Sequence, residues 1–329
     1  MTPIMTTTRT DINCPLYCHK SLINFASKNC DILNVVLCYH NKEKIPGRIR
    51  LKWLQNELSN FENVNLISLK YKKEKLPDTS IFSASVSELW ADEFKKLLPQ
   101  TDVVFTSEEY GNYVAKAMNI EHISFDKGRM QIPISATAIR KSPFKYWNYI
   151  CNEAKPYFVK RISILGSEST GKSMLTERLA DYYNTVYVGE VGREIVEKTE
   201  LCNAEDLIQI ATIHSKKITK QILKANKLLF VDTDLNITKS YSSFLFNQEL
   251  KTSAWQEKAN KSDLYFFLET DCPYIQDGTR LNKKQREKLS LSHKKILEIS
   301  HIPYISIKGN WEDRFQKVRE IIDEKFFQR

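Results

Sequence analysis

The amino-acid sequence predicts an α/β protein with two domains, residues 1–155 and 156–329, each built on a parallel β-sheet. Short apolar runs typical of buried strands alternate with amphipathic helical segments along the chain, and this alternation favours parallel sheets with helical crossovers. A chain of 329 residues is long enough for two hydrophobic cores, because single domains commonly have about 100–150 residues. A glycine-rich loop near the middle begins the second series of strands and helices.

The first half contains strand and helix patterns in alternation. Its predicted strands are residues 34–39, 64–69 and 103–105, and its predicted helices are residues 19–28, 48–58, 85–98 and 114–118. Residues 1–13 are polar and rich in threonine, without the apolar run of a first strand. We therefore expect residues 1–13 to be frayed.

A glycine-rich loop follows the apolar run at residues 161–165. Residues 166–173 read GSESTGKS and fit the pattern G-x-x-x-x-G-K-[ST], and the strand before and the helix after provide the context of a phosphate-binding loop. Glycines let backbone N–H groups point inward, and the helix N-terminus adds a positive dipole. Lys172 is then a candidate for the β- and γ-phosphates of ATP, and Ser173 for Mg²⁺. The alternative is a structural turn with a surface lysine.

The residues that we predict to bind ATP are those of the loop and the first turn of its helix: Gly166, Ser167, Glu168, Ser169, Thr170, Gly171, Lys172, Ser173 and Met174.

Charged residues follow two later predicted strands. Glu190 and Arg193 come after the strand pattern at residues 185–188, and Asp232 and Asp234 come after the continuous apolar run at residues 227–231. The carboxyl ends of parallel strands form the crevice in which ligands bind, so Glu190 and Arg193 are candidates for substrate recognition. A charge cluster at a helix start is the alternative for that pair. Aspartates at the end of a buried strand suit Mg²⁺ and an acceptor hydroxyl.

The remaining segments complete an α/β pattern. They are strands at residues 264–268 and 303–307, helices at residues 204–223 and 311–327, and a lysine-rich polar segment at residues 281–288. His214 lies within the helix at residues 204–223, and we interpret it as a surface or packing residue.

Composition and charge exclude several classes of protein. The chain has a formal charge of +9, but its lysines are dispersed among acids without a basic tail, which is typical of a solvated surface. Its seven cysteines include no C-x-x-C pair, which favours free thiols in a reducing compartment over disulfides or zinc. The chain contains no apolar stretch of membrane-spanning length. We therefore predict a cytoplasmic protein without a nucleic-acid or membrane partner, and a homo-oligomer remains open.

Small hydroxyl residues precede a helix pattern near the end of the first half. The segment is Ile134-Ser135-x-Thr137-x-x-Arg140, and hydroxyl side chains followed by an arginine one turn later suit an anion at a helix N-terminus. Plain helix capping by the same hydroxyl groups is the alternative.

These segments together resemble the bifunctional NMN adenylyltransferase/ribosylnicotinamide kinase family of NadR type. The segment Ile134 to Arg140 matches the I-S-x-T-x-x-R signature of nucleotidylyltransferases, and the family's E-Y-G-R-E, D-T-D and P-W-x-D-D-G-x-R segments have counterparts at residues 190–194, 232–234 and 273–280. The resemblance implies a Rossmann-like nucleotidylyltransferase-type sheet in the first domain and a P-loop kinase-type sheet in the second. It also implies ATP-dependent phosphorylation of nicotinamide riboside to NMN, with ATP and Mg²⁺ as cofactors.

The resemblance assigns roles to individual residues of this chain. It implies Lys172, Asp232 and Arg280 as catalytic residues, Arg286 as a further ATP-binding residue in a lid, and Asp234 as a substrate or Mg²⁺ contact. The substrate-binding set that it implies is Glu190, Arg193, Asp234 and Asp277, and the nucleotide site of the first domain would use His19, Ser135, Thr137 and Arg140. Which of Asp232 and Asp234 positions the acceptor hydroxyl is left open.

The first domain departs from the family at its first nucleotide-binding loop. The family pattern G-x-F-x-P-x-H-x-G-H corresponds here to residues 11–19, DINCPLYCH, in which only His19 matches a histidine. No glycine occurs before Gly47, and both histidines and glycines serve the transfer geometry in that family. We therefore predict that adenylyl transfer is lost or weak. The alternatives are a fully bifunctional enzyme that makes NAD and a regulator that senses ATP or NAD without turnover.

Overall fold

The computed structural model describes residues 3–8, 17–77, 84–128, 130, 131, 133, 134, 136–275 and 280–327. The chain divides into two compact units, Met1–Lys155 and Pro156–Arg329. Each unit contains a five-stranded sheet in which the neighbouring strands are parallel. The predicted α/β class with parallel sheets is confirmed.

The first unit alternates strands with helices, and its sheet has the order β3-β2-β1-β4-β5. Its described elements are β1 (Pro3–Thr8), α1 (Tyr17–Ser27), β2 (Ile32–Tyr39), α2 (Gly47–Leu58), β3 (Val64–Lys70), α3 (Ala84–Leu97), β4 (Val103–Thr106), α4 (Tyr110–Met118), β5 (Glu121–Ser124), α5 (Ala136–Lys141) and a 3-10 turn (Trp147–Tyr149). The short helix α6 (Lys155–Phe158) contains the boundary between the two units.

Strand β1 shows that the expectation of fraying was wrong for Pro3–Thr8, whereas the rest of residues 1–13 lies outside the described residues. It lies in the middle of the sheet, with parallel partners in β2 along Pro3–Thr8 and in β4 at Met5 and Thr6. Its sequence PIMTTT is rich in β-branched residues, which favour strands even when they are polar. Because a central strand is paired on both sides, it forms here without the apolar run that usually marks one.

The core of the first unit lies on both faces of its sheet. Leu33, Val35 and Leu37 of β2 pack into a cluster with α1 and α2, whereas Val36 packs on the opposite face against Trp90 of α3. This alternation follows from the two-residue period of side chains along a strand.

The second unit has the sheet order β10-β9-β6-β8-β7. Its described elements are β6 (Lys160–Gly166), α7 (Lys172–Tyr182), β7 (Tyr187–Val188), α8 (Gly192–Ile195), a 3-10 turn (Thr199–Leu201), α9 (Ala204–Gln221), β8 (Leu228–Asp232), α10 (Leu235–Phe246), α11 (Ala254–Asn260), β9 (Leu264–Leu268), α12 (Lys283–Ile299), β10 (Ile305–Ile307) and α13 (Trp311–Phe326).

Strand β6 is central in this sheet, with β8 on one side and β9 on the other. Every residue of β8 and of β9 is buried, as expected for strands covered by helices on both faces. The three strands are parallel, so the loops that follow them meet at one edge of the sheet. This edge carries the glycine-rich loop and Asp232.

A buried arginine ties the glycine-rich loop to its neighbours. Arg314 of α13 is about 1% exposed, and its guanidinium donates hydrogen bonds to the main-chain oxygens of Gly309 (2.8 Å), Thr170 (2.8 Å) and Glu269 (3.0 Å). It also donates to Asp271 Oδ1 at 2.5 Å. The carbonyl bonds satisfy most of the buried donors, and the carboxylate balances the charge.

Replacing Arg314 by Ala should lower the free energy of unfolding of the protein by roughly 3 kcal/mol, because four acceptors then lose a charged donor. Urea unfolding followed by circular dichroism measures the change. The matched control is Lys317→Ala, which removes an exposed cation from the same helix. Equal stability of the two variants would contradict this assignment.

Candidate functional site

The loop between β6 and α7 has the backbone of a phosphate cradle. Gly166 and Gly171 have φ angles of +143° and +81°, in the region that favours glycine. A Cβ atom on Gly166 would lie 2.7 Å from the main-chain oxygen of Leu268, and one on Gly171 would lie 1.8 Å from the Trp311 ring. Both glycines are therefore required by backbone angle and by space.

Lys172, Ser173 and Asp232 come together at the end of this loop. The Ser173 hydroxyl donates a hydrogen bond to Asp232 Oδ2 at 2.6 Å, and the Lys172 ammonium group donates to the main-chain oxygen of Ser167 at 3.1 Å. Lys172 is about 5% exposed. The structure thus brings together the three side chains that the sequence selected for ATP, Mg²⁺ and the acceptor hydroxyl.

The carboxyl group of Asp232 has an elevated pKa. Burial and, after it, the nearby charge of Glu190 raise the pKa of Asp232 to about 6, against the opposing effects of Lys172, Ser173 and Arg193. A carboxyl group with a pKa near neutrality can exchange a proton under physiological conditions.

Asp234 is placed as a helix cap. Its Oδ1 accepts hydrogen bonds from the backbone N–H groups of Asn236 (2.9 Å) and Ile237 (3.1 Å), and its Oδ2 accepts from Asn236 Nδ2 at 2.8 Å. Burial raises the pKa of Asp234 to about 6. Both oxygens are engaged at the start of α10, so contact with Mg²⁺ or substrate stays a prediction.

Thr233, between the two aspartates, has a φ angle of +69°. A β-branched residue in this region is strained, and such strain is found most often at functional sites. The Thr233 N–H donates to the main-chain oxygen of Ile164 at 3.0 Å, which holds the turn against β6.

A half-open cavity lies beside this turn and has a volume of about 830 Å³ including the solvent at its mouth. The lining residues are Glu168, Glu190, Val191, Gly192, Arg193, Val196, Glu197, Thr199, Cys202, Leu207, Ile210, His214, Thr233, Thr238, Tyr241 and Arg280.

The predicted substrate residues Glu190 and Arg193 both line this cavity. Arg193 Nε donates a hydrogen bond to Glu190 Oε2 at 3.2 Å. Arg193 lies on α8, and Glu190 lies three residues earlier in the loop before this helix. Arg280 lines the same cavity, and its guanidinium donates to the main-chain oxygen of Ile275 at 2.6 Å. Asp277 lies outside the described residues.

Glu168 connects the phosphate loop to the cavity wall. Its carboxylate accepts hydrogen bonds from Thr199 Oγ1 (2.7 Å), from the Tyr241 hydroxyl (3.3 Å) and from the Leu281 N–H (2.8 Å). The side chain therefore contributes to the cavity, while the sequence had selected Glu168 only as part of the ATP loop. Burial, followed by the charge of Glu168, raises the pKa of Tyr241 well above its usual range.

Arg286 is a buried cation in α12. It is about 2% exposed, its guanidinium lies over the Tyr274 ring, and Arg286 Nη2 is 3.7 Å from Cys272 Sγ. Within the described part of the chain, Arg286 Nε has no hydrogen-bond partner. A buried guanidinium with an unused donor suits an anion such as a phosphate group.

The donor set at the loop fits Mg²⁺. Ser173 and Asp232 present a hydroxyl and a carboxylate oxygen side by side, and Mg²⁺ is commonly bound by one or two such oxygens together with substrate phosphates. Among the residues described, no group of three or more His, Cys, Asp or Glu side chains forms a metal cage. The structure thus fits a metal that arrives with its nucleotide.

In the first unit, His19 lies near two arginines. It is about 7% exposed, and burial, with Arg140 and Arg50, lowers the pKa of His19 to about 4. Arg140 Nη2 donates to Thr137 Oγ1 at 3.0 Å, and buried Arg50 forms an ion pair with Glu43. Ser135 lies outside the described residues.

Several residues of these sites were missed from the sequence. Thr238 and Tyr241 follow the D-T-D segment at helical spacing, which is a signal that they share one face of α10. Arg50 and Arg314 gave no signal, because a buried arginine in an amphipathic helix cannot be distinguished from an exposed one by pattern alone.

No helix among the described residues is long and apolar enough to cross a membrane.

A family model described as an AAA domain matches residues 161–314. The chain is 30% identical over 254 residues to the trifunctional NAD biosynthesis/regulator protein NadR of Escherichia coli (strain K12), an alignment that covers 72% of this chain and 61% of that relative. The protein of the same name from Salmonella typhimurium is 29% identical with the same coverage. The chain thus spans less than two thirds of the length of these relatives.

Two crystal structures of NadR proteins share the fold of this chain with a TM-score of 0.76 and 19% sequence identity. One is a complex with NAD and AMP-PNP, and the alignment covers 98% of this chain and 95% of that one. The other is a complex with NR, with coverage of 100% and 97%.

Replacing Asp232 by Asn should stabilise the protein at neutral pH. Because the pKa of Asp232 rises from 3.8 to about 6 on folding, burial of the ionised carboxylate costs stability, and this cost increases as the pH rises from 4 through 6. The variant should gain about 3 kcal/mol in free energy of unfolding at pH 7.5 and almost nothing near pH 4. Urea unfolding at both pH values, without nucleotide or metal, measures it.

The control for this experiment is Glu320→Gln, which neutralises an exposed carboxylate on α13. An Asp232→Asn variant that is no more stable than the wild type at pH 7.5 would contradict the raised pKa of the buried group.

Proposed function

Because the chain is homologous to the NadR proteins, we propose that its second unit phosphorylates nicotinamide riboside with ATP at the 5′-hydroxyl and forms NMN. The observation that carries this proposal is an acidic cavity next to the phosphate loop. Three carboxylates (Glu168, Glu190, Glu197) line it together with two guanidinium groups (Arg193, Arg280), an excess of one negative charge. The nicotinamide ring of the riboside is a pyridinium cation, which such a cavity favours.

The triphosphate of ATP would bind at the loop of residues 166–173. Backbone N–H groups and the Lys172 ammonium group bind the β- and γ-phosphates, and Lys172 gives up its bond to the Ser167 oxygen to do so. Ser173 would hold Mg²⁺, which when bound would supply charge neutralisation at the phosphate groups. The buried, incompletely bonded Arg286 is available for a phosphate oxygen.

The acceptor hydroxyl would be positioned by Asp232. Its oxygens lie beside Ser173 at the loop, and its neighbour Thr233 lines the cavity. With a pKa of about 6, Asp232 can orient the 5′-hydroxyl as a hydrogen-bond acceptor and take up its proton during transfer. Arg280, on the cavity wall, then neutralises charge on the transferred group.

For the first unit we propose that adenylyl transfer is lost or weak. The first histidine and the glycines of the family pattern are absent at residues 11–19. The bifunctional alternative is supported by the position of His19 near Arg50 and Arg140, where an anion would find positive charge. The sensor alternative is disfavoured because Lys172, Ser173 and Asp232, the side chains that phosphoryl transfer needs, are all present at the loop.

Purified protein incubated with Mg²⁺-ATP and nicotinamide riboside should give ADP and NMN in equal amounts, without NAD. Lys172→Ala should lower the rate at least a hundredfold, because the γ-phosphate loses its cation. Lys216→Ala, which removes an exposed lysine from α9, is the matched control. Chromatography of the nucleotides measures all products.

The products distinguish the alternatives. NAD formed in addition to NMN, and lost in Arg140→Ala, would show that the first unit transfers adenylyl groups. Binding of ATP without formation of NMN would contradict the kinase proposal and favour a sensor.

The two aspartates should differ in the same assay. Asp232→Asn should lower kcat by a factor of about a thousand, because the acceptor loses its base, whereas Asp234→Asn should keep kcat within about tenfold, because Asn is an equally good helix cap. An Asp234→Asn variant as inactive as Asp232→Asn would instead assign Asp234 to Mg²⁺ or substrate.

A further inference from the structure

His214 occupies a position in α9 where an apolar residue would be expected. The buried face of this helix includes Leu207, Ala211 and Ile218, at the spacing of a core stripe, and His214 continues that stripe. Its side chain is about 4% exposed, and it contributes to the wall of the cavity beside the phosphate loop.

The imidazole of His214 is incompletely bonded in this position. Within the described part of the chain, its Nε2 is buried without a hydrogen-bond partner. Buried polar atoms in native proteins are nearly always paired, because an unpaired one costs stability. A histidine that serves only for packing would be replaced at lower cost by leucine, so the unpaired nitrogen indicates a bond that is completed by a ligand.

The ring of His214 is neutral at physiological pH. Burial lowers its pKa to about 4, although hydrogen bonds with the Asn260 side chain and the Asp232 main chain, and the charge of Glu190, favour the charged form. A neutral imidazole has one hydrogen-bond donor and one acceptor. It therefore suits a neutral polar group, and it avoids placing a second cation next to a pyridinium substrate.

We propose that His214 is a specificity-determining residue that hydrogen-bonds a neutral polar group of the acceptor nucleoside, a ribose hydroxyl or the ring carboxamide. This inference rests on the proposed function, since it names the part of the same substrate that the cavity recognises. Glu168 and Glu190 recognise the charge of the substrate, and His214 adds recognition of a polar group that can form a hydrogen bond with Nε2. The closeness of His214 to the main chain of Asp232 places that group near the reacting end of the cavity.

The test compares His214→Leu with His214→Gln in steady-state kinetics with nicotinamide riboside and Mg²⁺-ATP. His214→Leu keeps the volume but loses the hydrogen bond, and it should raise KM for the riboside roughly tenfold with KM for ATP unchanged. His214→Gln keeps a donor and an acceptor and should recover most of the affinity. An unchanged KM for the riboside in His214→Leu would overturn the inference, as would a Gln variant equal to Leu.

Analogues of the riboside identify the bonded group. The 2′-deoxy and 3′-deoxy ribosides each lack one hydroxyl, and pyridine riboside lacks the carboxamide. The analogue that lacks the bonded group should lose no further affinity when His214 is changed to Leu. Equal tenfold losses with all three analogues would contradict a bond from His214 to any of these groups.

A direct measurement on the wild type covers the case in which the Leu variant does not fold. In protein labelled with ¹⁵N-histidine, the ring nitrogen resonances of His214, assigned with His214→Gln, should shift when nicotinamide riboside is added. Unshifted resonances at saturating riboside would overturn the inference. If the wild type forms no NMN, the proposed function is refuted. If the wild type is active but the His214 variants keep its KM for the riboside and the His214 resonances do not shift, this inference alone is refuted.

Discussion

The pairing of β8 with β6 is the interaction on which the site of the second unit depends. In this parallel register, Asp232 lies opposite Ile164, two residues before the phosphate loop begins at Gly166. This register therefore places the Asp232 carboxylate beside Ser173, whose Oγ lies 2.6 Å from Asp232 Oδ2. A shift by one residue would exchange the two faces of β8 and move the aspartate away from the loop, so the apolar burial of the sheet and the geometry of the site are fixed by the same contacts.

Residues 232–234 change direction within three residues, and each makes a different contribution. Asp232 ends the strand, Thr233 turns the chain with a φ angle of +69°, and Asp234 begins α10 by capping its N-terminus. The strain at Thr233 persists because the residues on both sides are held, one by the sheet and the other by the cap. Two aspartates so close in sequence therefore have different partners: Asp232 accepts from the Ser173 hydroxyl, and Asp234 accepts from the N-terminus of α10. Burial nevertheless raises the pKa of each to about 6.

The sequence was sufficient for the fold class and for the position of the glycine-rich loop between a strand and a helix, because these depend on local patterns. Glycine spacing predicts the loop, and charged residues after apolar strands predict the crevice. β1 was missed because it lacks an apolar run, although its β-branched residues favour a strand and its neighbours β2 and β4 pair with it on both sides. Tyr241 was missed, and the contribution of Glu168 and His214 to the cavity was not predicted, because these depend on how the loop, α9 and α10 pack together, and no short-range pattern encodes that packing.

In the second unit, the groups that lower the free energy of unfolding lie together at one edge of the sheet. A buried carboxyl pair, a strained threonine, a buried ammonium group at Lys172 and an unpaired imidazole nitrogen of His214 within the described residues all lie there. The opposing stability comes from strands β8 and β9, which are buried along their whole length, and from Arg314, which ties the loop to the main chain around it. These groups, which are costly to bury in the free protein, are the ones that we propose to bind phosphate, metal and substrate. A ligand that pairs with them would remove that cost, and this would contribute to its binding energy.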